Sequence, residues 1–200
     1  MTKLILATKN AHKVKEILKI WGEMPFEVLT LESFPHLPAV VEDGKTFAEN
    51  ALKKAREICR ETNLLTVSDD SGIEADALNG APGIYSARYA GEGASDSENN
   101  EKLVKALAHL PADSPLRTGR FRCVAALVAP GGFEAVVEGV VEGRILESLH
   151  GKNGFGYDPL FFIPELGKTT ADMSLEEKNT LSHRSQAFRK MKEILLSRRF

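Results

Sequence analysis

Two cysteines and one tryptophan are all that 200 residues contain of these types. Cys59 and Cys123 stand far apart inside apolar patterns, without the paired spacing of zinc ligands or the density of a disulfide scaffold, so both are expected to be reduced and buried. Long hydrophobic runs are missing as well. The first apolar stretch stops before Lys9, and none approaches the ~20 residues of a membrane-crossing helix, so neither a signal peptide nor a membrane span is expected. An excess of one charge is also absent: 26 basic side chains face 28 acidic ones, for a net charge of −2. Nothing global therefore draws the chain to nucleic acid or an anionic membrane, and any polyanion site has to be built locally. Internal repeats and low-complexity tracts are lacking, and the 16 glycines and 9 prolines are scattered, which excludes collagen-like, coiled-coil and disordered classes.

What is present suits one globular domain over residues 1–200, with room for two lobes. Lys3 to Thr8 reads as a buried strand, after which Asn10 caps a helix carrying Val14, Ile17, Leu18 and Trp21 on one face. Thr46 and Glu49 have capping-box spacing ahead of Phe47, Ala51, Leu52, Ala55, Ile58 and Cys59, a second amphipathic helix. Leu64 to Ser68 predicts a short strand that ends at Asp69 and Asp70. Ser95 and Glu98 announce a third helix, closed by Pro111. Phe121–Ala129 and Phe133–Val141 flank Pro130, Gly131 and Gly132 as a β-hairpin. His150 to Asp158 is a glycine-rich loop, Leu160 to Ile163 a strand, and Ser182 to Ser197 the last helix.

Three places could carry chemistry. At Thr8, Lys9, Asn10, Ala11, His12 and Lys13 a strand feeds a helix N-terminus, whose free N–H groups favour an anion; the same pattern also suits a capped helix with solvated lysines. At Asp69 and Asp70, preceded upstream by Glu42 and Asp43, alternation along a strand lets one aspartate be chemical while the other is structural. Two carboxylates brought together need a cation, and Mg²⁺ commonly takes one or two of them plus substrate phosphates; Asp-Ser-Gly is equally ordinary turn chemistry. Lys178, His183 and Arg184 are cations near a helix start, where they oppose its dipole and suggest a partner anion; solvated surface charge suits the same pattern. Other phosphate loops are excluded. The glycine a Walker motif requires is Ala39 ahead of Gly44 and Phe162 ahead of Gly167, and Pro159 stands where a dinucleotide fingerprint after Gly154 wants a small residue. No GxSxG elbow is present, and neither cysteine has the neighbours of a nucleophile.

Together these segments resemble one family along nearly the whole chain, the inosine/xanthosine triphosphate pyrophosphatases (Ham1-like), which remove deaminated purine nucleotides. The resemblance rests on Thr8–Lys13, Glu42 with Thr46–Ala51, Ser68–Gly72, Gly80–Tyr89, Phe155–Phe161, Glu177 with Lys178, and Ser182–Arg184. It implies an α/β fold, an elongated two-lobed single domain in which a long mixed β-sheet floors a central cleft, as also in the related Maf-like proteins. It implies that Thr8, Lys9, Asn10, Ala11, His12 and Lys13 hold the triphosphate with Ser71. Glu42 and Asp70 would bind Mg²⁺, with Asp70 the catalytic carboxylate. Phe155, Gly156, Tyr157, Asp158, Lys178, His183 and Arg184 would form the nucleotide pocket, and Lys54 would be a further contributor. His12 departs from the glycine of many relatives. The implied substrate is a purine nucleoside triphosphate, ITP, dITP or XTP, cut to monophosphate and pyrophosphate. The implied setting is a cytoplasmic homodimer with no nucleic-acid or membrane partner. A nucleotide sensor or RNA-binding module without catalysis would gain nothing from Glu42 and Asp70 facing an anion. A Maf-type pyrophosphatase is the nearest enzymatic alternative, against which the Phe155 and His183 segments favour purine.

Overall fold

The computed structural model describes residues 1–200. Seven strands form one mixed sheet: β1 (Thr2–Leu6), β2 (Phe26–Thr30), β3 (Leu65–Ala75), β4 (Thr118–Val128), β5 (Glu134–Ile145), β6 (Phe161–Ile163) and β7 (Lys168–Thr169), in the order β2-β1-β3-β4-β5-β6-β7. The helices are α1 (Ala11–Trp21), α2 (Phe47–Thr62), α3 (Asp96–Ala106), α4 (Leu175–Leu181) and α5 (His183–Ser197). The expected α/β class and mixed sheet are therefore borne out. β1 pairs in parallel with both β2 and β3, while β6 pairs antiparallel with β5 and β7. Parallel neighbours need crossover connections, which α1 and α2 supply. Flanked on both sides, β1 buries Leu4, Ile5 and Leu6 completely, which is why it reads as an unbroken apolar run.

Three expectations are corrected. The acidic pair does not end a strand: β3 runs on through Asp69 and Asp70 to Ala75. Tertiary contacts override the local turn signal, because the Ile73 N–H donates to Ser86 Oγ (3.0 Å). Gly72 permits this approach, since a Cβ there would lie 2.3 Å from the same Oγ. The last helix begins at His183, and a separate helix, α4, precedes it behind a complete Ser174/Glu177 capping box. Thr46 makes only half of the expected box: its Oγ1 accepts the Glu49 N–H, whereas the Glu49 carboxylate takes the Lys45 N–H instead.

The chain divides into two compact units, the first comprising Met1–Asp70, Cys123–Gly139 and His183–Phe200, the second Ser71–Arg122 and Val140–Ser182. In the first, Leu4, Leu6, Ile17, Trp21, Val67 and Phe188 belong to one apolar cluster, and Trp21 also donates its indole N–H to the Phe188 carbonyl at 3.0 Å. In the second, Ile73, Leu103, Leu107, Phe121, Phe161 and Leu160 form the core. Arg117 is buried beside it and donates to the carbonyls of Leu107, Leu110, Pro111 and Ile145. A charged side chain thus satisfies the carbonyl of Leu107, the C-cap of α3, together with carbonyls of the turn that follows it and of the end of β5. Both cysteines are free and buried, and burial pushes the Cys123 thiol up to about 12. No helix is long and apolar enough to cross a membrane.

Candidate active site

In the first unit the turn from β1 into α1 is built by local hydrogen bonds. Thr8 Oγ1 accepts the Asn10 N–H (3.2 Å), and Asn10 Oδ1 accepts the Lys13 N–H (3.1 Å), the expected N-cap. No acidic side chain occupies the first turn of α1, and Lys9, Asn10, Ala11 and His12 are exposed. The N-terminal end of the helix is thereby open to an anion. Lys13 is turned inward, with its ammonium 2.8 Å from Asp69 Oδ2.

Asp69 and Asp70 occupy consecutive positions of β3 and so point to opposite faces. Their environments are opposite too. Asp69 has no exposure. Burial alone would raise its carboxyl, yet the charges of Lys13, Arg184 and Lys54 outweigh that and hold it down to about 2. Arg184 sits 3.9 Å from Asp69 Oδ2 through Nε and binds Glu16 Oε2 through Nη1 at 2.6 Å. Around Asp70 burial prevails and raises the carboxyl, with Glu42 adding to the rise, against the pull of Lys54, Lys13 and an Asn50 hydrogen bond. The ammonium of Lys54 pairs with Glu42. Its own burial is outweighed by Asp69, Glu42 and Asp70, so Lys54 stays firmly protonated.

The donor chemistry here is hard oxygen: besides Asp69, whose charge Lys13 and Arg184 also offset, the carboxylates of Glu42 and Asp70 act on Lys54. No group of three or more His, Cys, Asp or Glu residues comes together as a closed metal cage. Two carboxylates suffice for Mg²⁺ when phosphate oxygens complete its shell, and a buried carboxyl of raised pKa gains from a cation nearby. The residues present therefore fit that ion.

In the second unit, Asp158 and Lys178 form a buried ion pair at 2.6 Å, each about 4% exposed or less. Asp158 Oδ2 also accepts the Phe155 N–H (2.9 Å), and Oδ1 accepts from Thr170 Oγ1 (2.9 Å). The Lys178 ammonium lies 5.0 Å from the centroid of the Phe155 ring. Gly154, at φ +77°, is required, because a Cβ there would fall 2.0 Å from Asp158 Oδ2. Gly156 is pinned by its N–H to Asp96 Oδ2 (2.7 Å) and by its carbonyl to Asn100 (2.8 Å). Tyr157 is turned inward, its hydroxyl donating to the Ser86 carbonyl at 2.8 Å. Ser71 opens this unit, directly after Asp70.

The residues singled out from sequence thus fall into two groups. Lys13, Asp70, Glu42 and Arg184 converge on the Asp69–Lys54 charge cluster, and Phe155, Asp158 and Lys178 gather around one ion pair. His183, buried at the start of α5, is in the first unit with Arg184. Sequence reasoning missed Glu16 and Asn50. The visible signal for both was polarity at a buried helical position: Glu16 directly before Ile17, and Asn50 between Phe47 and Ala51.

The model of the Ham1 family matches residues 4–194. A dITP/XTP pyrophosphatase of Geobacter sulfurreducens is 51% identical over 195 residues, covering 98% of this chain and 97% of that protein. A dITP/XTP pyrophosphatase of Desulforamulus reducens is 49% identical, covering 96% and 95%. Among solved structures, a HAM1 protein from Coxiella burnetii superposes with a TM-score of 0.90 at 38% identity, over 99% of this chain and 100% of that one.

Proposed function

The chain belongs to the Ham1 family, and on that premise we propose that it is a dITP/XTP pyrophosphatase. It hydrolyses ITP, dITP and XTP to the nucleoside monophosphate and pyrophosphate. The observation that carries the chemistry is the pair of adjacent aspartates in opposite environments, Asp69 held ionised by the cationic side chains of Lys13, Arg184 and Lys54 and Asp70 pushed towards neutrality by burial. Such a split separates a structural anion from a reactive one.

In the reaction, a water oxygen bonds to the α-phosphorus while the bond from that phosphorus to the oxygen bridging it to the β-phosphorus breaks. Pyrophosphate leaves with the electron pair. Asp70 orients the water and takes its proton. Lys13 and Lys54, with the turn of residues 8–13 at the start of α1 and the hydroxyl of Ser71, hold the triphosphate and meet its growing charge. Glu42 and Asp70 would hold Mg²⁺, which when bound supplies neutralisation of phosphate charge. Phe155, Gly156, Tyr157, Asp158 and Lys178 are assigned to the nucleoside, together with His183. Arg184 is given a different task from the one its motif suggests: engaged with Glu16 and Asp69, it fixes the structural carboxylate. A cytoplasmic homodimer without nucleic-acid or membrane partners completes the proposal.

Hypoxanthine and xanthine carry a 6-oxo acceptor where adenine carries an amino donor. A pocket that donates there leaves ATP with donor against donor, at a cost of about 1–3 kcal/mol, or roughly 5- to 150-fold. The test is a panel of nucleoside triphosphates with Mg²⁺, scored for pyrophosphate against free phosphate. ITP, dITP and XTP should release pyrophosphate and ATP should be largely spared; equal kcat/KM for ATP and ITP would overturn the assignment.

A further inference from the structure

We propose that Asn50 is a positioning residue for this reaction, its amide aiming the Asp70 carboxylate and tying it to the loop that carries Glu42. The inference rests on the roles given above to Asp70 and Glu42. Asn50 lies in the first turn of α2 and has no solvent exposure. Burying a primary amide is costly unless both its ends are satisfied, and an apolar residue would be the default between Phe47 and Ala51.

Both ends have partners. Oδ1 accepts the Gly44 N–H at 2.8 Å, and Nδ2 donates to Asp70 Oδ2 at 3.0 Å. The partners fix the orientation of the amide. A backbone N–H can face only the oxygen, so the nitrogen is left for the carboxylate, and a flip would set donor against donor and oxygen against anion. Gly44 makes the approach possible, since a Cβ there would lie 2.6 Å from Asn50 Oδ1 and 2.8 Å from Glu49 Cβ. Two residues before it stands Glu42. The amide is therefore a strut between two carboxylate-bearing segments, one on β3 and one on the loop entering α2. A carboxylate gripped through one oxygen presents the other in a fixed direction, and this is how an outer partner sets the geometry of a metal ligand or a base.

Two substitutions separate positioning from mere packing. Asn50→Asp keeps an acceptor for Gly44 but turns an oxygen towards Asp70; Asn50→Ala removes both bonds. Both are expected to lower kcat for dITP by about 10- to 100-fold, the range for lost outer-shell partners, with KM held within about threefold. Mg²⁺ binding to the nucleotide-free protein, measured by calorimetry, should change in both variants. Wild-type kcat and Mg²⁺ affinity in Asn50→Asp would show that the amide serves only the Gly44 loop, and a raised KM at unchanged kcat would make it a substrate-binding residue; either result overturns the proposal. Asp70→Asn is run alongside. Its full activity would sink the role of Asp70 itself, whereas an inactive Asp70→Asn beside a normal Asn50→Asp would sink only this inference. Should Asn50→Asp fail to fold, the side-chain amide resonances of Asn50 are compared between the wild type and Asp70→Asn. A clear shift is expected, and unchanged resonances would refute the contact.

Discussion

The ammonium of Lys13 and the fully buried carboxylate of Asp69 lie 2.8 Å apart, one residue away in sequence from the carboxylate given the chemistry. The pair fastens the helix that starts at the phosphate turn to the strand that bears Asp70. It also makes Lys13 a lysine with a fixed address. Its remaining N–H donors point where the pair lets them, and a phosphate meets a placed charge instead of a flexible one.

Lys13→Ala should therefore do two things at once. Steady-state kinetics should give a raised KM for dITP and for XTP by similar factors, because the lysine meets phosphate and not the ring. Urea denaturation should show lowered stability, by less than the roughly 3–5 kcal/mol of a buried pair broken outright, since Arg184 and Lys54 still face Asp69. A changed preference between the two bases would remove Lys13 from the phosphate site.

Asp70→Asn should abolish turnover yet leave a folded protein, as it is nearly isosteric and loses only the charge. Asp69→Asn should keep more activity and lose more stability, because it strips Lys13 and Arg184 of their common anion. Pyrophosphate release and melting temperature, measured on both variants, decide the matter: the reverse ranking would exchange the roles of the two aspartates.

The two carboxyls should also leave opposite marks on stability against pH. Asp69 titrates near 2 in the folded protein, below its ordinary value of 3.8, so it stabilises above pH ~4 and that contribution fades as pH falls towards 2. Asp70 is raised, so its ionised form costs stability once pH exceeds its ordinary value. Without Mg²⁺, Asp70→Asn should be more stable than the wild type at pH 7 and lose the advantage below pH ~4. Urea midpoints from pH 7 to 2.5 would record both trends, and a less stable Asp70→Asn at pH 7 would contradict the second.

Gly139 tolerates no side chain. A Cβ there would fall 2.1 Å from the His183 carbonyl oxygen and 2.7 Å from Gln186 Cβ. Gly139→Ala should push the start of α5 away, lowering stability by about 1–3 kcal/mol and raising KM through the displaced His183. Denaturation midpoint and KM measured together test this; a variant with both unchanged would show that β5 can yield at this point.

Much of this architecture was legible where local pattern and tertiary demand agree. The Asn10 cap, the Ser95/Glu98 box and the hairpin around Gly131 announced themselves through residue types that only a few backbone conformations favour. Legibility failed where long-range partners decide. Asp-Ser-Gly reads as a turn until Ser86 supplies a hydrogen bond 13 positions away. Arg184 reads as a surface cation near a helix start until Glu16, 168 positions earlier, takes its charge into the interior. β2, with none of its residues fully buried, lacked the apolar contrast that betrays β1. The candidate site was legible as motifs; its division of labour between adjacent aspartates was not, because charge and burial at each depend on α1, α2 and α5 together.

The placement of Asp69 and Asp70 in the body of an 11-residue strand governs how the enzyme should fail when heated. Catalytic groups on loops are commonly lost first, as a loop loosens while the rest of a protein stays ordered. Here the backbone that carries the reactive carboxylate is part of the sheet itself, so no local opening short of disrupting that sheet frees it. Heat inactivation and global melting should then follow one curve, and the amide hydrogens of these two residues should rank among the slowest in the chain to exchange with solvent.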